Sequence, residues 1–485
     1  MLNIIIIIFV TIILFTLISI SKKKFGENKI LSVCKILAIT FFSLAVIRNF
    51  FNDSFIWVIN GGVYGETLYK ETDIFHSLVR WLSLLSYMIY PVAVYFSVRI
   101  YRNITIYFCL PVAILVLINY EKFIMYFTEN SGRAIYLPEI YRRIEFSLEV
   151  IIMILIPLIL RFVLKHKINI RDKSDWWGLS VIPFMLLIVI PVTLPQSLFG
   201  FTNKFMKPLS FENLMWGVTA LLIFVLLYFL LRFKSRELRY SFLIFLALYL
   251  FYHYNSIYLM DLNLSRLPFQ LCNLGAYLIL ISLLVKKKSF FDFILIGNVS
   301  GAMIAFAFPD VSEGMLSFWN IHFYIEHTWV FILPLLTVAL RIMPRPNRKS
   351  PINFTIGFSI YFIFCVVAGV IINSFVYVEG HPVLNKVNYF YIFDDTVANV
   401  IPAIKFVWKY PLVISGFTFY PIYILIIYVL FVGFCFVVNW VYIKLLVIAD
   451  DHFKLRQIRI NLFKERGIYK NKFPKENYED WRCIC

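Results

Sequence analysis

The residues able to do chemistry cluster in one stretch of this chain. Cys272 stands in Leu267-Pro-Phe-Gln270-Leu-Cys272, followed by Gly297-Asn298, Phe308-Pro309-Asp310, His322, Glu326-His327 and Asn388, with His253 upstream. A thiolate is a nucleophile, and a nearby imidazole lowers the thiol pKa or takes its proton. Such a pair would form an acyl thioester and pass the acyl group to an alcohol or an amine. The carbonyl oxygen would need donors, either backbone N–H groups at a helix start or the amides of Asn298 and Asn388. Each residue also has a plainer reading. A lone cysteine in an apolar helix is commonly a small packing residue, and a histidine at a helix end is commonly interfacial. Asp310 after Pro309 would end a span, and Asn298 would bond one helix to another.

These residues must be positioned by membrane helices. The chain of 485 residues is 61% hydrophobic, 19% aromatic and 15% charged, with a mean hydropathy of +0.80. Soluble domains carry about 25% charged residues, so a soluble enzyme and a disordered scaffold are excluded. Stretches of about 20 apolar residues fall near 2–20, 30–50, 80–98, 104–121, 146–164, 177–195, 212–232, 240–260, 268–285, 290–308, 321–340, 354–376 and 411–443, which predicts about 13 spans in an all-α polytopic protein. The run 2–20 precedes Lys22, Lys23 and Lys24 and lacks a small-residue cleavage site, so it reads as a span rather than a signal peptide. The net charge is +18, and alternate loops hold the excess: 22–24, 99–102, 165–173, 232–239, 286–288, 341–349 and the tail after 444. Positive loops stay in the cytoplasm. The N-terminus is therefore expected outside and the C-terminus inside, with 311–320 and 377–409 external. The loop 122–145, with Lys122, Arg133, Arg142 and Arg143, departs from this pattern. Cys272, Asp310, His322, Glu326, His327 and Asn388 all fall near the outer surface, and His253 in the outer half of its span. The seven cysteines show neither metal-ligand spacing nor a disulfide framework.

An internal repeat is also expected. Ile144-Glu-Phe-Ser-Leu-Glu149-Val150, running to Pro157-Leu158, aligns with Ile321-His-Phe-Tyr-Ile-Glu326-His327, running to Pro334-Leu335. The predicted layout is an N-terminal helix and basic loop (1–28), a degenerate six-helix repeat (29–235), a six-helix catalytic repeat (236–443) and a basic cytoplasmic tail (444–485), the two repeats being parallel in topology. His327 then corresponds to Val150, which would leave the polar chemistry in the second half.

In order and spacing, Leu267-Pro-Phe-Gln-Leu-Cys272, Gly297-Asn298, Phe308-Pro309-Asp310, His327 and Asn388-Tyr-Phe resemble the YwaF-type family of bacterial integral membrane proteins. Its animal relatives include a cysteine-dependent transmembrane phospholipid acyltransferase. The resemblance covers about 240–440. It implies Cys272 as nucleophile and His327 as its base, with Asn298, Asp310 and Asn388 in support; the family often has His where Gln270 stands. The depth of the polar residues adds Glu326 as a supporting residue and His322, His253 and Gln270 as further possibilities. The expected activity is acyl transfer from membrane phospholipid, through the thioester, to an outer-leaflet acceptor, either a lysophospholipid or the free amine of a lipoprotein N-terminus in a bacterial plasma membrane. Coenzyme A donors would lie on the wrong side. No cofactor, metal or nucleic-acid partner is expected. Two other readings stay open: a secondary transporter or lipid flippase, and a metal-dependent intramembrane hydrolase using His253, His322, His327 and Asp310.

Overall fold

A computed structural model of the chain describes residues 2–50, 74–127, 138–168, 175, 178–192, 194–199, 210–259, 263–309, 314, 316–381, 383–408 and 410–465. Among these residues the structure is all-α apart from one short hairpin. Among the described residues nine helices are long and apolar enough to cross a membrane, where backbone groups must be bonded within the segment. In chain order the main helices are α1 (Leu2–Phe50), α2 (Ile74–Tyr95), α3 (Arg99–Ile118), α4 (Glu139–Val163), α5 (Phe211–Leu231), α6 (Arg236–Asn255), α7 (Leu271–Val285), α8 (Lys288–Ala307), α9 (Phe318–Ala339), α10 (Ser350–Val376) and α11 (Pro421–Glu465, membrane-spanning to Ile448).

The difference from about thirteen spans has four sources. The two expected N-terminal spans are both present, as two helices that meet at Gly26 within the continuous stretch α1 and are taken together as one of the nine; the φ of 78° at Gly26 separates them, a value that only a residue without Cβ adopts readily. Among the described residues the expected span at 177–195 holds a short helix, Ile182–Ile188, and the start of another, Leu194–Phe199, and not one long one. Pro191 falls between the two pieces, because proline lacks the N–H a continuing helix needs, while Pro183 and Pro195 sit in first turns, where that N–H has no partner to lose. Helix α6 stands where 240–260 was expected but is too polar for a span by hydropathy, with Tyr249, Tyr252, His253, Tyr254 and Asn255 along its end. Nearly all of α6 is buried in protein, so it need not match lipid. Helix α7 has an apolar stretch of 15 residues and is shorter than a full span.

The helices pack as two groups. Helix α1 lies against α2 and α4; α8 lies against α7, α9 and α10; α5 packs on α8 and α9. Helix α6 touches α1 and α2 on one side and α7 and α9 on the other, which accounts for its burial. Between α10 and α11 the chain is irregular and ends in the antiparallel pair Leu412–Ile414 and Phe417–Phe419. Its turn, Ser415-Gly416, has both residues at positive φ, the conformation a two-residue hairpin requires.

Candidate functional site

Cys272 is the second residue of α7, after the N-cap Gln270. The first N–H groups of a helix have no acceptor within it, and the Gln270 side chain does not cap them. It is turned away: its Nε2 donates to the Asn388 carbonyl at 3.0 Å and its Oε1 accepts from the Phe390 N–H at 2.7 Å. The first turn therefore presents N–H groups and the positive end of a helix dipole beside the thiol, an arrangement that favours a thiolate or a developing oxyanion.

The surroundings of the sulfur are built from small residues. A Cβ on Gly301 of α8 would come within 3.3 Å of the Cys272 Sγ, and one on Gly275 of α7 would strike the Asn298 Nδ2 at 2.5 Å. Asn298 thus lies about one turn deeper than Cys272 along the α7–α8 contact. It is buried, and its Nδ2 has no hydrogen-bond partner. An unmet buried donor costs about 1–3 kcal/mol; a substrate oxygen would satisfy it. Tyr361 and Cys365 of α10 both donate to the Phe269 carbonyl, at 2.7 and 3.4 Å, which fixes the chain just before α7.

His327, on α9, is buried. Its Nδ1 donates to the Phe323 carbonyl at 2.7 Å and its ring lies against Phe323. That bond sets the tautomer and leaves Nε2 with a lone pair, the form a general base needs. Helices α7 and α9 are packed together, but no hydrogen bond joins the Cys272 thiol to the His327 ring among the described residues. Glu326 and Tyr361 are the ionisable groups near enough to the thiol to act on it electrostatically among the described residues.

Glu326 belongs to a second, linked cluster. The His253 Nε2 donates to the His322 carbonyl at 3.2 Å, and the His322 Nε2 donates to the carbonyls of His253 and Tyr254, each at 3.1 Å. The two rings stack at 4.9 Å. These bonds leave the His322 Nδ1 with a lone pair, 3.7 Å from the Glu326 Oε2. The Glu326 Oε1 is buried without a partner. Tyr254, Tyr258 and Tyr277 feel the same carboxyl. The Tyr252-His-Tyr-Asn run, dense in polar aromatics, was the sequence signal for this cage.

The Asn388 Oδ1 accepts from the Phe393 N–H at 2.9 Å, so its side chain shapes the loop over α7. Asp310 lies outside the described residues. Among the described residues no group of three or more His, Cys, Asp or Glu side chains is placed to hold a metal ion. In the first half, Arg48 and Tyr87 meet Glu149 in a buried polar site that the sequence reading did not assemble.

This geometry falls in a region with known relatives. Residues 205–439 match the model of the TMEM164 family, which takes in α5 to α10, the loop carrying Asn388 and most of the spanning part of α11. No curated protein and no solved structure matches the chain.

Proposed function

We propose that the chain is a membrane acyltransferase that moves a fatty acyl group from phospholipid through a thioester on Cys272. Relatives of the TMEM164 family are membrane acyltransferases, and the order of residues that resembles the YwaF-type proteins lies in the same region. The observation that carries the reading is Cys272 in the uncapped first turn of α7, beside Gly301 and the unpartnered amide of Asn298.

In the first step the thiol proton passes to the His327 Nε2 and the sulfur attacks the ester carbonyl. The C–O bond breaks, and the lysophospholipid leaves as an alcohol carrying that proton. In the second step an acceptor hydroxyl or amine attacks the thioester and gives its proton to the imidazole, and the thiol is restored. The first-turn N–H groups and Asn298 hold the oxyanion. Glu326, set by His322, is an ionisable neighbour of the thiol and adjusts the charge there. The acceptor is a lipid or lipid-anchored molecule, a lysophospholipid or a lipoprotein amine, on the outer leaflet of a plasma membrane. Helices 30–232 are the degenerate counterpart of 240–443.

The test is acyl trapping. Purified protein mixed with phospholipid carrying a labelled acyl chain should gain a hydroxylamine-labile label that maps to Cys272. Label on another residue, or none while acyl transfer proceeds, overturns the mechanism.

A further inference from the structure

The first half holds a buried acidic pair that the acyl-transfer chemistry does not use. Glu145 and Glu149 lie one turn apart on α4 and are 5% and 1% exposed. All of the hydrogen bonding at Glu149 falls on one oxygen: Oε2 accepts from the Tyr87 hydroxyl at 2.6 Å and from the Arg48 Nη1 at 3.2 Å. The Glu149 Oε1 and both oxygens of Glu145 are buried without a hydrogen-bond partner.

The charged groups around the pair are few. Arg48 from α1 acts on both carboxyls. From α2, Arg80 also acts on Glu149, but its guanidinium donates to the Tyr126 and Phe127 carbonyls. His76, also on α2, meets the Asn119 amide through its Nδ1. Among the described residues the others are Tyr87 from α2, Tyr252 from α6 and Tyr141 on α4 itself, whose hydroxyl is a neighbour of the Glu145 carboxyl. Among the described residues Arg48 is thus the guanidinium that the two carboxyls share, while Arg80 is engaged by backbone carbonyls. A buried carboxylate that must share its cation with a second carboxylate is costly to keep charged. Glu145 lies only about 9 Å along the helix from Glu139, at 1.5 Å per residue, and Glu139 is an exposed partner of Arg143. Water at that end of α4 is thus within a short reach.

We propose that Glu145 is a proton-binding site: it takes up a proton from the aqueous phase at the Glu139 end of α4, and on releasing it competes with Glu149 for Arg48. The proton carries the positive charge that the shared guanidinium does not. Because Arg48 joins α1 to α4 and reaches Tyr87 on α2 at 3.4 Å, loading the site changes how three helices of the first half are tied.

The experiment is infrared difference spectroscopy on the purified full-length protein over a pH series. A carbonyl band of a protonated carboxylic acid should grow as pH falls, disappear in Glu145→Gln and persist in Glu326→Gln. A spectrum that is the same in wild type and Glu145→Gln, or a Glu145 band that does not titrate, overturns the proposal. If Glu145→Gln does not fold, labelling of the wild type with a hydrophobic carbodiimide decides. Adducts at Glu145 that decline as pH rises support the proposal, and absence of adducts at every pH overturns it. Protection by sodium at fixed pH overturns the proton in favour of a metal cation.

Discussion

Glu149 and Glu326 occupy matching places in the aligned segments of the two halves, yet their environments differ. Glu149 is neutralised by Arg48 and bonded by Tyr87. Glu326 faces the lone-pair side of His322 at 3.7 Å and stands beside a cysteine. The first arrangement locks three helices together. The second leaves a carboxyl with one oxygen, Oε1, that no hydrogen bond holds. Identical residues at aligned sites thus serve different ends because of the partner each meets, and that partner comes from elsewhere in the chain.

The sharpest way to break this contrast is Cys272→Ala. It should reduce acyl transfer by several orders of magnitude, since no neighbouring nucleophile replaces the sulfur. Its packing cost should be modest, about 1 kcal/mol. Full activity in folded Cys272→Ala protein would remove the catalytic half of the comparison. Cys272→Ser should also be severely impaired, because its hydroxyl is the weaker nucleophile.

Arg48→Ala should act on stability instead. Removing one partner of a buried ion pair costs about 3–5 kcal/mol, which thermal unfolding in detergent would detect. A joint Arg48→Met, Glu149→Leu replacement should recover most of that loss, and failure to recover it would mean that the pair does more than hold helices. Glu326→Gln should show the opposite signature, with a small change in unfolding temperature and a slowed appearance of hydroxylamine-labile label. Equal stability losses for Arg48→Ala and Glu326→Gln would erase the distinction.

Gly301→Ala sharpens the site at finer scale. Its methyl would press on the Cys272 sulfur at 3.3 Å, so acylation should slow by about tenfold, equivalent to ~1.4 kcal/mol of transition-state energy. Cys34→Ala, buried in α1, should leave acylation unchanged and serve as the smallest expected effect. Loss of label in Cys34→Ala would show that the first half participates in the chemistry.

Much of this site was legible in the sequence because its signals are local. Gln270 and Cys272 are neighbours at a helix start, and His322 and Glu326 are separated by one turn of a single helix. The resemblance also placed the chemistry in a region that overlaps the family match. The Arg48–Glu149 bond joins residues 101 apart, and no periodicity announces such a partner. The 240–260 and 177–195 stretches show two limits of hydropathy as a guide to spans. A helix enclosed by other helices can be polar and still lie within the bundle, and a stretch interrupted by prolines can be apolar without forming one long helix.

The two bonds from Gln270 to the 388–390 segment connect residues 118 and 120 apart in the chain. Phe390 and Tyr391 hold positive φ there, and the Phe393 ring occupies the notch that Gly369 leaves open. The start of the cysteine helix is therefore finished by a piece of chain made much later. On the ribosome, α7 reaches the membrane before its cover exists, and the reactive turn is assembled only after α10 has been inserted and the segment beyond it has folded back. The order of synthesis therefore leaves the first turn of α7 without its cover until the bundle around it is nearly whole.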